Sequence, residues 1–135
     1  MGPSYSSFKM KEGQDYQIKA WLNAMTKSAY DPVPSQEWSS DPWYDPTQPR
    51  HFMPTEWKIY NAGKASGTII GGNLSTFELL RGTPYAPQVN DYILFLEEAE
   101  EDDYHDFAHT QPLFTISIGA QASIDTDTLS IHIEE

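Results

Sequence analysis

The stretch SGTIIGGNLSTFELLRGTPY, residues 66–85, constrains the fold of this chain more than any other segment. It reads as an apolar strand that runs through two glycines, Gly71 and Gly72, into a short helix at about Ser75–Arg81. Consecutive glycines between a strand and a helix permit positive φ angles and a close approach of two backbones. The segment is therefore either a tight connection that requires small residues or a ligand-binding loop.

The helix within this stretch has recognisable start and stop signals. Asn73 or Ser75 suits the N-cap, Glu78 occupies the capping-box position relative to Ser75, and Gly82 ends the helix. Unpaired N–H groups at such a helix start can receive an anion. The segment is not a nucleotide-binding loop, because it has neither a Walker lysine nor a GxGxxG pattern.

The rest of the chain predicts a β-rich α+β domain with two short helices. An amphipathic helix is expected at 14–30 from the spacing of five residues: Ile18, Trp21, Leu22, Met25 and Ala29. Strands are expected at Glu56–Asn61, at Gly67–Ile70, at 91–98 as a buried central strand, at 112–119, and at 121–127 and 128–135 as a hairpin turned at Asp125–Asp127. We expect one domain, 1–135, in which 1–54 holds the helix and a proline-rich segment and 55–135 forms the sheet.

The segment 31–54 holds six of the ten prolines together with several aromatic residues. It is too aromatic for a disordered linker, so we expect it to wrap along a surface with its rings tucked in. Trp38, Trp43 and Tyr44 could stack on a sugar or a base, or simply pack against the sheet. The sequence leaves both interpretations open.

Charge and composition exclude several classes of function. Eight basic against twenty acidic side chains give a net charge of −12, which argues against nucleic acid and against anionic membrane surfaces as partners. The chain has no cysteine, and it shows no membrane-spanning run and no signal-peptide pattern. We therefore predict a soluble, cytoplasmic protein.

Several segments together resemble a known family. GTIIGGNLSTFELLRGTPYAP followed by YILFLEE resembles the C-terminal domain of the LD-carboxypeptidase serine peptidases, especially their microcin-C-resistance (MccF-like) branch. GPSYSSFKMKEGQDY, VPSQEWSSDPWYD and the final HTQPLFTISIGAQASIDTDTLSIHIEE resemble further parts of it. The resemblance implies the family's swivelling β/β/α C-terminal domain and hydrolysis of an amide in L,D-peptides or in a peptidyl-nucleotide antibiotic. It implies no metal or organic cofactor.

The resemblance also assigns residues to a catalytic triad of serine, histidine and glutamate. His109 in DFAHTQP matches the catalytic histidine, although Ala108 stands where the family has glycine. In the alternative that we favour, DDYHDFA is the start of a family helix whose remainder is lost, joined directly to HTQP. Ser66 stands where the triad glutamate is expected, and a serine cannot supply the charge that stabilises an imidazolium.

The same resemblance places Gly71, Gly72 and Asn73 at the edge of the substrate pocket. Glu97 matches an acid that helps to bind substrate. The alternative for Glu97 is a carboxylate at the end of a strand, facing solvent within the acidic stretch 97–103. The spacing of His105 and His109 fits a zinc pair only weakly and offers no clear third ligand, so no metal site is predicted.

Two departures from the family decide the expected function. The resemblance implies that the N-terminal domain with its nucleophilic serine is absent, and that a helix and a strand before HTQP are missing. We therefore predict the C-terminal part of a peptidase that is inactive alone and meets its substrate only in a full-length context. The alternative is a non-catalytic binding or self-association module, a homodimer for example, with an acidic and aromatic surface.

Overall fold

The computed structural model describes residues 2–98 and 112–134. A 3-10 helix precedes the other elements, which are named here in chain order. They are the 3-10 helix Tyr5–Lys9, α1 (Gln14–Thr26), β1 (Ala29–Tyr30), β2 (Glu37–Trp38), β3 (Met53–Pro54), β4 (Lys64–Asn73), α2 (Leu74–Glu78), β5 (Tyr92–Glu97), β6 (Gln121–Asp125) and β7 (Ser130–Glu134).

A five-stranded mixed sheet forms the centre of the molecule. Its described strands lie in the order β1-β7-β6-β4-β5, and β2 and β3 form a separate two-stranded ribbon. The pair β4–β5 is parallel, while β4–β6, β6–β7 and β1–β7 are antiparallel. The α+β class with two short α-helices is thus confirmed. The predicted hairpin is also confirmed, since β6 and β7 pair from Gln121 opposite Glu134 to Asp125 opposite Ser130.

One face of this sheet is apolar and carries the core. Ile69, Ala122 and Ile133 come from three neighbouring strands and pack with Phe114 and Ile116. These last two belong to 112–116, which is buried but forms no strand, so the predicted strand at 112–119 is wrong. The residues that follow contact β4 through two backbone hydrogen bonds: the N–H of Gly119 donates to the carbonyl oxygen of Ile69 at 2.8 Å, and the N–H of Ile69 donates to the carbonyl oxygen of Ala120 at 2.9 Å.

The first helix differs from its prediction in length and orientation. α1 ends at Thr26 rather than at residue 30, because the chain turns there to pair β1 with the end of β7. Its buried residues are Gln17 and Ala24, whereas the apolar stripe that predicted the helix is partly or largely exposed, up to 65% at Met25. The helical period was right, but the expected packing face was not.

Two strand predictions are wrong for tertiary reasons. Residues 56–61 form no strand, and the preceding Met53–Pro54 pairs with Glu37–Trp38 instead. β5 is not central among the described strands, because it lies at the end of their order beside β4. Its Tyr92 and Leu94 side chains are about half exposed. A continuous apolar run indicates a strand without showing which position it takes.

The aromatic rings of the proline-rich segment are buried only in part, although they were expected to be tucked in. Trp38 and Trp43 are half-buried, but the Tyr44 ring is 73% exposed. The rings of Trp43 and Tyr44 meet edge to face, with centroids 6.0 Å apart. Stacking of these rings on a sugar or base stays one of the two open interpretations.

Candidate functional site

Gly71 and Gly72 of the opening stretch lie inside β4 rather than in a loop. Gly71 is opposite Phe95 in the parallel ladder, and Gly72 is opposite Leu96. Gly71 has φ +134°, and a Cβ atom there would stand 1.8 Å from the carbonyl oxygen of Phe95. No side chain fits that contact, because 1.8 Å is far inside van der Waals distance. Close backbone packing against β5 therefore requires glycine at this position.

Asn73 joins β4 to α2 and is the N-cap, one of the two residues, Asn73 and Ser75, that the sequence offered for this position. Its Oδ1 accepts hydrogen bonds from the backbone N–H and the hydroxyl of Thr76, both at 3.0 Å. This satisfies one of the unpaired donors of the first turn. The predicted capping box is wrong, since Glu78 instead contacts Arg81 at 3.4 Å.

Glu98 completes the helix start, and the sequence analysis did not identify it. Its Oε1 accepts from Asn73 Nδ2 at 3.2 Å, and its Oε2 accepts from the N–H and the hydroxyl of Ser75 at 3.1 and 2.6 Å. The chain's own carboxylate thus occupies the place at the helix start that could receive an anion. The available signal was only a second acid after Glu97, and pattern alone does not reveal a contact from Glu98 to Ser75.

Glu97 is buried at the end of β5. It lies opposite Asn73 in the ladder and is only 4% exposed. The alternative of a solvent-facing carboxylate is therefore wrong. Because β4 and β5 are parallel, their carboxyl ends meet at one edge of the sheet, the usual position for binding groups in such sheets. Gly71, Gly72, Asn73, Glu97 and Glu98 form one cluster here, called the glycine corner below.

Ser66 lies on the same strand but away from this corner. It is exposed and opposite Ser123, seven residues before Asn73, or about 23 Å along an extended strand. His109 lies outside the described residues, as does His105. The structure thus brings the four predicted substrate-binding residues together and does not bring Ser66 to them. The triad roles of Ser66 and His109 stay predictions.

A polar row crosses the sheet from Ser66. Ser66 is opposite Ser123, and Ser123 is opposite His132. His132 Nδ1 lies 2.5 Å from Asp31 Oδ1, and its Nε2 lies 3.4 Å from Glu134 Oε1. The hydrogen bond to Asp31 is the main reason that the pKa of His132 is raised above its usual value, and the Asp31 charge and Glu134 add to it against partial desolvation.

No cluster of three or more His, Cys, Asp or Glu side chains within 2–98 and 112–134 is arranged to hold a metal ion. Nor does any helix in those ranges have the length and apolarity needed to cross a membrane. The described chemistry of the corner is therefore that of backbone N–H groups, an amide and two carboxylates.

Comparison with known proteins places this architecture in a family. Residues 66–107, which begin at Ser66 and include the glycine corner, match the family model for the LD-carboxypeptidase C-terminal domain. The chain is 39% identical over 108 residues to YocD of Bacillus subtilis (strain 168) and 35% identical over 107 residues to a protein of Treponema pallidum (strain Nichols), both carboxypeptidases by name. These matches cover 78% of this chain, but only 33% and 32% of those proteins.

Solved structures show the same fold over nearly the whole chain. An MccF-like protein from Bacillus anthracis str. Ames superposes with a TM-score of 0.84 at 30% identity, over 98% of this chain and 60% of that one. The microcin C7 self-immunity protein MccF in complex with glutamyl sulfamoyl guanosine gives 0.82 at 19% identity, over 99% and 60%. At that lower identity the likeness concerns the fold alone.

The chain is thus a C-terminal domain of the LD-carboxypeptidase family. Within that family its structural neighbours are the MccF-like proteins. It spans about a third of the length of the curated relatives that it matches.

Proposed function

We propose that this domain shapes the substrate pocket and supplies the histidine of an LD-carboxypeptidase-type site, and that it does not hydrolyse amides by itself. The glycine corner carries this proposal, because it lies within the family match and holds a buried carboxylate beside a rigid strand-to-helix junction. The proposed setting is the cytoplasm.

The proposed substrates are L,D-peptides or amino acids joined to a nucleotide. The first class follows from the family of the domain. The second is supported by the ligands named for the MccF structures, glutamyl sulfamoyl guanosine and aspartyl sulfamoyl adenosine. In both classes a serine attacks an amide or an analogous bond while a histidine removes the hydroxyl proton.

The proposed role of Ser66 explains the expected inactivity. A triad acid fixes the tautomer of the histidine and stabilises the imidazolium that forms. A serine hydroxyl at that position carries no charge, so it does not stabilise the imidazolium. Replacing the triad aspartate of a serine protease by asparagine, which leaves the histidine in the wrong tautomer, lowers kcat by about 10⁴-fold.

Incubation of the purified chain with an L,D-tetrapeptide tests the first half of the proposal. We expect no release of D-alanine above the rate of a buffer blank, measured by a coupled amino-acid oxidase assay. Time-dependent release that disappears in His109→Ala would show that the chain is catalytic alone and would overturn the proposal.

A chimaera tests the second half. The N-terminal two thirds of YocD would be joined to this chain, either unchanged or with Ser66→Glu. If Ser66 occupies the acid position, the glutamate variant should hydrolyse the tetrapeptide about 10³- to 10⁴-fold faster than the serine form. Ser66→Gln is the matched control, since it has the same size without the charge. Equal rates for all three would remove Ser66 from the proposed triad.

A specific observation favours self-association as a second candidate. Ile18, Trp21, Leu22 and Met25 form a partly exposed apolar stripe on α1, and contiguous exposed apolar surface commonly marks an interaction site. Sedimentation velocity across a concentration series tests this, since a dimer should form with rising concentration and dissociate in Leu22→Asp. A monomer at every concentration would exclude this candidate.

A further inference from the structure

A groove of about 600 Å³ lies at the β1 edge of the sheet, at the opposite end of the strand order from the glycine corner. α1 forms one wall, and residues 30–37 form the other. Tyr30 and Phe114 contribute aromatic surface to it. The hydroxyl of Tyr16 on α1 donates to the carbonyl oxygen of Val33 at 2.9 Å and ties the walls together. This volume is within the range of small-ligand sites.

The two walls carry opposite charges that do not meet. Lys19 and Asn23 line the α1 wall, and their i, i+4 spacing puts them on one helix face. Gln36 and Glu37 line the other wall. Within the part of the chain that the structure describes, none of these four side chains makes a hydrogen bond or an ion pair with another residue. An ammonium and a carboxylate therefore face a common space without neutralising each other.

Other charges near the groove are already engaged. Asp31 also lines it, but its carboxylate is hydrogen-bonded to His132. Glu37 is consequently the acid available on that wall, and Lys19 is the only Lys or Arg among the described lining residues. A ligand that satisfies both walls must carry a negative end and a positive end, with amide groups between them for Asn23 and Gln36.

We propose that this groove binds short zwitterionic peptides. The peptide carboxylate pairs with Lys19, its ammonium group pairs with Glu37, and the amides of Asn23 and Gln36 bond the peptide backbone. An apolar side chain of the ligand rests on Tyr30 and Phe114. This inference is independent of the proposed function, because none of these residues belongs to the glycine corner or to the predicted triad.

NMR titration of the ¹⁵N-labelled full chain with trialanine tests the proposal. We expect saturable shifts of the amide signals of α1 and 30–37, with a dissociation constant of about 0.1–5 mM for two exposed ion pairs. Trialanine that is acetylated at one end and amidated at the other is the matched ligand. It should bind at least about tenfold more weakly, because it loses both ion pairs. No saturation, or equal binding of the capped peptide, would overturn the proposal.

Two variants that each remove one charge test which end of the peptide pairs with which wall of the groove. Lys19→Gln should weaken binding of peptides with a free carboxylate by about three- to fivefold and leave amidated trialanine unaffected. Glu37→Gln should do the same for peptides with a free ammonium and leave acetylated trialanine unaffected. Lys27→Gln and Glu56→Gln remove the same charges outside the groove and should change nothing. An equal loss in these controls would show only a general charge effect and would refute the assigned polarity.

Discussion

The two ends of β4 differ in how strongly packing restricts the residues that they can contain. At Gly71 the backbone of β5 fills the space where a side chain would begin. At Ser66 the strand is exposed and faces another small residue, Ser123, across the ladder. One strand thus has an end that close packing fixes and an end where the fold leaves the outward position, Ser66, open, although a Cβ atom at the neighbouring Gly67 would stand 2.7 Å from the carbonyl oxygen of Asp91. Function can change the second end without cost to the fold, whereas the first end must be kept for folding itself.

The largest loss of stability is expected when one methyl group is added at the packed end of β4. Gly71→Ala would place Cβ 1.8 Å from the Phe95 carbonyl oxygen at φ +134°. We expect the free energy of unfolding to fall by about 3–5 kcal/mol or the chain to fail to fold. Urea unfolding followed by tryptophan fluorescence measures this loss.

Gly72→Ala is the matched control for that steric effect. It has a similar φ of +145°, but a Cβ atom there meets nothing within 4 Å. Its cost should be that of backbone strain alone, about 1–2 kcal/mol. If both variants lost equal stability, strain rather than contact with β5 would be the reason for glycine at Gly71.

The N-cap at the packed end should have the next largest effect. Asn73→Ala removes the acceptor for Thr76 and the donor to Glu98, and we expect a loss of about 1 kcal/mol in unfolding free energy. Asn61→Ala, at an exposed asparagine, should cost less than about 0.5 kcal/mol. Equal losses would mean that the cap does not hold the corner together.

How well the sequence predicts a feature depends on how far apart in the chain the residues that form it lie. The cap at Asn73 and the β6–β7 hairpin depend on residues close together in the chain, and these predictions are confirmed. The reason for glycine at Gly71 is not local, because the backbone that it approaches is that of Phe95, more than twenty positions away. The burial of Glu97 and the contacts of Glu98 with Ser75 join residues more than twenty positions apart. The wrong face of α1 has the same origin, because a helix period does not show where the sheet lies.

The polar row that begins at Ser66 ends in a titratable contact, between His132 and Asp31. Asp31 raises the pKa of His132 in the folded state, so the protonated imidazole stabilises the fold below the unfolded-state pKa of about 6.5. That contribution is lost as the pH rises through the higher folded-state pKa. The difference in unfolding free energy between wild type and His132→Gln should therefore be largest near pH 5.5 and shrink towards pH 8.5.

Urea unfolding at several pH values measures this difference. Asp31→Asn should remove the same pH-dependent part, because it removes the main partner of the imidazole. A His132→Gln difference that did not change with pH would show that the contact with Asp31 contributes nothing to stability.

The smallest expected effect is at the open end of β4, and it tests the comparison most directly. Ser66→Glu adds a carboxylate to an exposed position, two residues from Lys64 on the same face of the strand. Neither a buried group nor a ladder hydrogen bond is disturbed, so the unfolding free energy should change by no more than about 0.5 kcal/mol. A loss above about 1 kcal/mol would mean that packing constrains both ends of β4. A neutral result would separate the two roles, because the residue expected to decide catalysis could then change while the glycine corner that holds the domain together stays intact.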